Sequence, residues 1–433
     1  MHIPDGYLSP STCAVFYAAA APFWYVALQR LKRLLTSRLV PLISIFAAFS
    51  FVVMMFNLPL PGGTTGHAVG MGLGAIVLGP WGAIVAISIA LILQALFFGD
   101  GGILAIGANC FNMAIVGSLV AYGLHRALAG RAPLTAPRRT IAGAVAGYVA
   151  INVAALCAAV EFGVQPLLFK DASGTPLYAF YPLSVAIPAM LIGHLTFAGL
   201  AEAVITGGVV AYLQRADPGL LRLTAPGARE AAAVRAAEAG ARPSRLRPLL
   251  IGLLALALLS PLGLLAAGTA WGEWGSDEVV KEQAGYHLRQ LDDADRQALA
   301  AEFDTFATTV PDPRAAEELK AAGPAVRAGD LAAAADAVQG QLAVLNTADR
   351  GRYPRIAALT GDIKQPTGMQ RFSSLWRAPF QDYAPSFLRN QAVGYSLSAV
   401  VGIALVGGVG WLVARALARR RDPATEEARV GVD

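Results

Sequence analysis

Along most of this 433-residue chain, apolar runs long enough to cross about 30 Å of hydrocarbon recur, with the charged residues confined between them. Lipid offers no water to satisfy backbone N–H and C=O groups, so each run must fold as a helix. With 55% hydrophobic residues, 15% charged residues and a mean hydropathy of +0.52, the length does not describe two or three soluble domains. The expected fold class is an all-α polytopic membrane protein. A net charge of +5 does not point to nucleic acid, because the basic residues sit in short loops beside the spans, where orientation accounts for them. Membrane lipid is the expected surrounding. The first residues lack a basic stretch and a small-residue cleavage site, so no removable signal peptide is expected and Met1 can be a working residue.

The first run, about 12 to 29, ends in QRLKRLLTSR, which the positive-inside rule puts in the cytoplasm and which therefore leaves Met1 and His2 outside. A second, about 39 to 57, empties into NLPLPGGTTGH, a loop without Lys or Arg, so His67 emerges on the same side. Residues 68 to 98 are too long for one simple span. LGPWG divides them into a short helix and a longer one, and Gly66, Gly70 and Gly74 form a small-residue face for close packing. Further spans at about 103 to 128, 139 to 161 and 183 to 213 complete a seven-helix bundle with its N-terminus outside. A basic Ala/Pro/Gly-rich linker covers 214–247 on the cytoplasmic side. Beyond it, residues 248–433 read as a two-helix module, with spans at about 249 to 269 and 393 to 414. Between these lies a soluble helical external insert, about 271 to 391.

Three cysteines, Cys13, Cys110 and Cys157, match no zinc spacing and read as small buried hydrophobes. The five histidines carry more information. A free amine at Met1, the amide nitrogen of His2 and the His2 imidazole can reach one ion through fused five- and six-membered rings. Metal-assisted loss of the amide proton makes a strong planar field that suits Ni(II) or Cu(II), with Co(II) also accommodated. His67 is the candidate for the fourth nitrogen. Gln94, Asn109 and Asn112 are polar in apolar surroundings; they either orient the metal site or join helices by hydrogen bonds. His194, with Glu202 two turns along the same face, either lies on an ion path or makes an interhelical hydrogen bond. His125 reads as a cation at a helix C-terminus and His287 as an exposed residue of the insert.

The stretches MHIPDGYLSP, TTGH, FFGDGGILAIGANCFNM and EAVIT together resemble the CbiM/NikM family. Members are the metal-binding membrane (S) components of energy-coupling-factor cobalt and nickel importers, which also serve cobalamin biosynthesis. The resemblance covers about residues 1–213 and implies seven spans in the plasma (inner) membrane. It also implies that the Met1 amine, the His2 amide and imidazole and the His67 imidazole bind Ni(II) or Co(II), the transported substrate rather than a prosthetic group. The two-span module resembles the small CbiN/NikN companion subunit, and WGEWG and LWRAPFQDY resemble stretches of such fusions. No GxxxxGK[ST] phosphate-binding motif occurs, so energy has to come from partners. By resemblance these are a transmembrane coupling (T) protein and cytoplasmic ATPase subunits. Two other classes meet obstacles. A membrane metalloenzyme would need an open coordination position and catalytic carboxylates, and a metal sensor would need a cytoplasmic output domain after Arg421.

Overall fold

The computed structural model describes residues 1–34, 39–60, 64–172, 174–225, 247–266, 276–363, 366–385 and 387–419. The chain divides into two units, Met1–Glu273 with Arg371–Asp433, and Trp274–Gln370.

The first unit begins with α1 (Pro10–Leu34) and α2 (Leu39–Met54), followed by a two-stranded antiparallel ribbon, β1 (Leu58–Leu60) with β2 (Thr64–Gly66). Next come α3 (Met71–Val77) and α4 (Gly79–Leu93), which a π-helical turn extends through Gln94–Phe98. The break between α3 and α4 falls where LGPWG predicts it. Leu78 ends α3, Gly79 takes φ 73, and Pro80 sits in the first turn of α4, where a missing N–H costs nothing. All seven residues of α3 are buried, and at a rise of about 10 Å it is too short to cross a bilayer. The expected face of Gly66, Gly70 and Gly74 is not how it packs, because Gly66 lies in β2 and Gly70 precedes the helix. Gly70 abuts the Phe49 ring, and Gly72 makes the close approach to backbone: a Cβ there would stand 2.7 Å from both Gly147 Cα and Thr206 Oγ1.

Two further rods follow, each joined by a π-helical segment: α5 (Ile106–Asn109) to α6 (Gly117–Ala129), and, after α7 (Pro137–Leu168), α8 (Leu183–Gly193) to α9 (Gly199–Ala216). Residues 214–225 pack on this bundle. The Gln214 amide donates to the Leu134 and Ala136 carbonyls at 2.8 and 2.9 Å, and the Thr224 hydroxyl donates to the Ile76 carbonyl. Most of the linker, 226–246, and WGEWG lie outside the described residues. The chain resumes with α10 (Arg247–Leu259).

In the second unit, α11 (Ser276–Gln290), α12 (Asp293–Ala307), α13 (Pro313–Ala328), α14 (Leu331–Gly340), α15 (Leu342–Leu345) and α16 (Pro354–Asp362) enclose a core of their own that includes Leu299, Phe303, Leu319, Val326 and Ile356. Asp292, Asp312 and Asp330 cap three of these helices by accepting backbone amides. The boundary with the first unit falls inside α17 (Thr367–Phe372). Residues 371–391, expected as the end of the insert, therefore group with the first unit, as does α18 (Gln391–Arg419), which packs along α2 and α10.

Among the described residues six helices are long and apolar enough to span a membrane: Pro10–Arg33, Gly79–Phe98, Ile106–Ala129, Pro137–Leu168, Leu183–Ala216 and Gln391–Ala418. Val40–Met54 and Leu249–Leu265 are shorter apolar helices. The chain is an all-α polytopic membrane protein apart from its small ribbon.

Candidate metal site

Residues 1–9 fold inward and are held by main-chain and amide hydrogen bonds from three elements. The Ile3 amide donates to Asn109 Oδ1 at 2.8 Å, while Asn109 Nδ2 and the Gly102 amide donate back to the Ile3 carbonyl at 3.2 and 2.9 Å. The Asp5 carboxylate accepts the Ile103 and Leu104 amides at 3.0 and 2.8 Å. Further on, the Ser9 amide donates to Gln165 Oε1 at 3.0 Å and the Ala179 amide to the Tyr7 carbonyl at 3.0 Å. Gly6, with φ 87, supplies the turn that Pro4 alone could not. Met1, His2 and Ile3 are buried as a result.

This arrangement brings His2 to His67. Their ring centroids lie 5.1 Å apart with planes inclined by 36°, and both rings are buried. His67 precedes α3, and its Nδ1 lies 3.1 Å from the Ala68 carbonyl. A carbonyl can only accept, so Nδ1 carries the proton and Nε2 keeps its lone pair. Burial first, then the His2 ring and the Met1 amine, push the His67 pKa down to about 3, which leaves the imidazole neutral and fit to bind a cation. The Met1 amine is also an electrostatic neighbour of His194.

On its other side, His2 Nδ1 faces Asp100 Oδ1. Burial opposes the Asp100 carboxylate, yet the contact with His2 holds its pKa below the ordinary carboxylate range. The second oxygen, Oδ2, accepts from Gln94 Nε2 at 3.1 Å and from the Tyr383 hydroxyl. Gly101, with φ 85, lets this loop approach closely, since a Cβ there would meet Asn109 Nδ2 at 2.9 Å.

The expected residues thus separate by position. Met1, His2 and His67 come together, Asn109 fixes the backbone beside His2, and Gln94 holds Asp100. Asn112 is buried beside the Glu161 carboxylate. His194 Nδ1 donates to the Met190 carbonyl of its own helix at 2.7 Å. The Glu202 carboxylate accepts the amides of Val69, Gly70 and Gly72, at 2.8, 2.8 and 3.0 Å. His125 is buried in α6 beside Arg139, and His287 is half-buried in the second unit rather than exposed. Sequence reasoning did not single out Asp5, Asp100 or Tyr383. The signal for Asp100 was an acid set among three glycines in FFGDGG, directly after an apolar run.

Among the described residues no group of three or more His, Cys, Asp or Glu is arranged to hold a metal ion by side chains alone. A cation bound at His2 and His67 would draw on the amine and amide nitrogens next to them. Two imidazoles on one ion, at about 2 Å per metal–nitrogen bond, have centroids roughly 4 to 6 Å apart, a range that includes the observed separation.

A family profile described as the cobalt uptake substrate-specific transmembrane region matches residues 2–220. The chain is 46% identical to the fused nickel transport protein NikMN of Rhodobacter capsulatus over 422 residues, 97% of this chain and 99% of that one. It is 45% identical to the probable fused nickel transport protein LarMN of Lactiplantibacillus plantarum over 66% of this chain and 82% of the relative. Identity to the cobalt transport protein CbiM of Geobacter sulfurreducens is 32%, over 67% of this chain and 79% of the relative.

Proposed function

Since the chain belongs to the CbiM family of cobalt uptake substrate-specific transmembrane proteins, we propose that it is the substrate-capturing subunit of an ATP-driven Ni(II)/Co(II) importer. It is a membrane transport component and not an enzyme, and nickel or cobalt is its transported substrate. The ion is captured from outside the inner membrane, where the N-terminus lies. The Met1 amine, the His2 amide and imidazole and the His67 imidazole supply four nitrogens, and a planar field of this kind favours Ni(II). A transmembrane coupling protein and cytoplasmic ATPase subunits then reorient the bundle and release the ion inside. Residues 1–213 form the core that captures the ion, 214–247 link it on the cytoplasmic side, and 248–433 act as its built-in companion.

The observation that carries this reading is the burial of His2 and His67 with their rings 5.1 Å apart at the chain's own amine. Metal content of the purified protein, after growth with both ions supplied, tests it. The parent should retain one ion preferentially, His2→Ala and His67→Ala should each abolish retention, and His125→Ala and His287→Ala should leave it intact. Equal loss in all four variants would show that the imidazoles act through folding and not as ligands.

A further inference from the structure

Residues 376–383 are distant in sequence from His2 and His67, yet they complete the end of α4 next to them. A helix leaves its last carbonyls without donors from its own turns. Here the Trp376 indole donates to the Leu96 carbonyl at 2.8 Å and the Phe380 amide to the Phe97 carbonyl at 2.9 Å. These bonds set Tyr383 over Phe98, with ring centroids 5.2 Å apart and planes 24° from parallel. Asp382 and Tyr383 reach this pose in the left-handed region, at φ 53 and φ 59. Side-chain-bearing residues hold that conformation only where their surroundings impose it. What it delivers is a buried hydroxyl against Asp100, 2.8 Å from Gln94 Nε2.

Two donors, Gln94 and Tyr383, therefore converge on Asp100 Oδ2 and leave Oδ1 to His2. We infer that Tyr383 is a positioning residue of the metal site, fixing Asp100 so that its charge stays at the edge of the His2 ring where a divalent cation is chelated. The inference rests on the reading of His2 and His67 as ligands. The nitrogen that faces Asp100 is Nδ1, the atom that a chelate ring through the His2 amide uses, so an arriving ion would take the place of any proton on Nδ1 and Asp100 Oδ1 would then face the ion instead of the ring nitrogen. A divalent ion in a buried site requires compensating charge, because an uncompensated buried charge is strongly disfavoured. The deprotonated His2 amide provides one negative charge and Asp100 the second, while the amine and imidazoles are neutral ligands. Gln94 Nε2 alone would leave the carboxylate with one donor on Oδ2, and the Tyr383 hydroxyl adds the second that limits its rotation. The segment that follows the second unit thereby contributes a side chain to the metal site of the core.

Ni(II) binding to the purified full chain, by equilibrium dialysis and by the visible absorption of bound Ni(II), tests this. Tyr383→Phe keeps the stacked ring and removes the hydroxyl. Tyr395→Phe makes the same change at a neighbouring buried tyrosine whose hydroxyl is spent on the Met55 carbonyl, to which it donates at 2.8 Å. Tyr383→Phe should weaken Ni(II) binding about tenfold, the effect typical of losing a support one contact away from a ligand, and should shift the absorption band. Tyr395→Phe should change neither. Asp100→Asn, which preserves shape and removes charge, should produce a loss at least as large and so provides a second arm if Tyr383→Phe is unstable. Unchanged binding in Tyr383→Phe or Asp100→Asn, or an equal loss in Tyr395→Phe, would overturn the inference. If His2→Ala still abolished binding, the ligand assignment would survive that result. A parent chain that binds no Ni(II) would remove both.

Discussion

Glu202 Oε2 accepts the Val69 amide at 2.8 Å, joining α9 to the chain two residues after His67. The same carboxylate takes the Gly70 and Gly72 amides, and the Thr206 hydroxyl lies 3.4 Å from it. The first amides of a helix have no partners within it, and in a membrane interior water cannot serve them. Glu202 therefore determines where α3 begins and, through it, where His67 stands. Glu202→Ala should lower stability by about 3 kcal/mol, since buried donors are left unsatisfied, and should reduce metal retention. Glu202→Gln, which retains one acceptor oxygen, should do both more mildly. Thermal unfolding and metal content measured on the same preparations check this. Lost transport with unchanged stability and retention would instead favour Glu202 as a residue of the ion path.

Much of the fold could be read from sequence, because apolar runs and the Gly79–Pro80 break are local signals. His2 could be read as well, since its chemistry depends on the neighbouring amine. The three contacts that organise the site could not. Glu202 was visible as an ionisable residue in a span, but its partners lie about 130 residues earlier and are backbone amides, which no sequence pattern marks. Tyr383 sits in LWRAPFQDY with nothing local to indicate that it reaches Asp100, 283 residues away. Gly72, outside the regular spacing of Gly66, Gly70 and Gly74, makes the close approach to the α7 backbone, because the helix starts later than the glycine spacing suggests.

A leucine inserted between Met1 and His2 tests the main-chain nitrogens. The lengthened tip would carry an amine, two amides and an imidazole, enough to fill a square plane without a fourth ligand from elsewhere. Ni(II) binding by the insertion variant should therefore persist when His67→Ala is added, whereas His67→Ala alone abolishes it. Continued dependence on His67 in the lengthened protein would exclude the amine and amide as ligands.

Asp5 offers a test by pH. Burial raises its pKa above the ordinary carboxylate value, and the Leu104 and Ile103 amides only partly offset this. A raised folded-state pKa means that the native protein holds the proton more firmly than the unfolded chain does. Asp5 thus contributes most at low pH and loses stability as pH rises from its unfolded value through its raised one. The unfolding temperature of the parent should fall across that acidic window relative to Asp5→Asn. Parallel curves for the two proteins would contradict the shift.

The last prediction separates the second unit from the segment that follows it. Trp274–Gln370 has its own buried core, whereas Arg371 onward groups with the membrane-spanning unit and includes Trp376, Tyr383 and Tyr395. If the companion role rests on side chains that reach α4 and Asp100, removing the second unit alone should spare the metal site. Replacement of residues 276–366 by a flexible Gly/Ser linker should leave a folded protein that retains Ni(II) as the parent does. Truncation after Ala225 should also leave a membrane-inserted bundle with Met1, His2 and His67 in place, because Thr224 and Gln214 still dock on it. That protein, lacking Tyr383, should bind about tenfold more weakly. Supplying residues 247–433 as a separate chain should restore binding, since covalent connection only raises effective concentration. If the linker replacement lost Ni(II) as severely as the truncation did, the second unit itself, and not the Tyr383 segment, would be what the metal site requires.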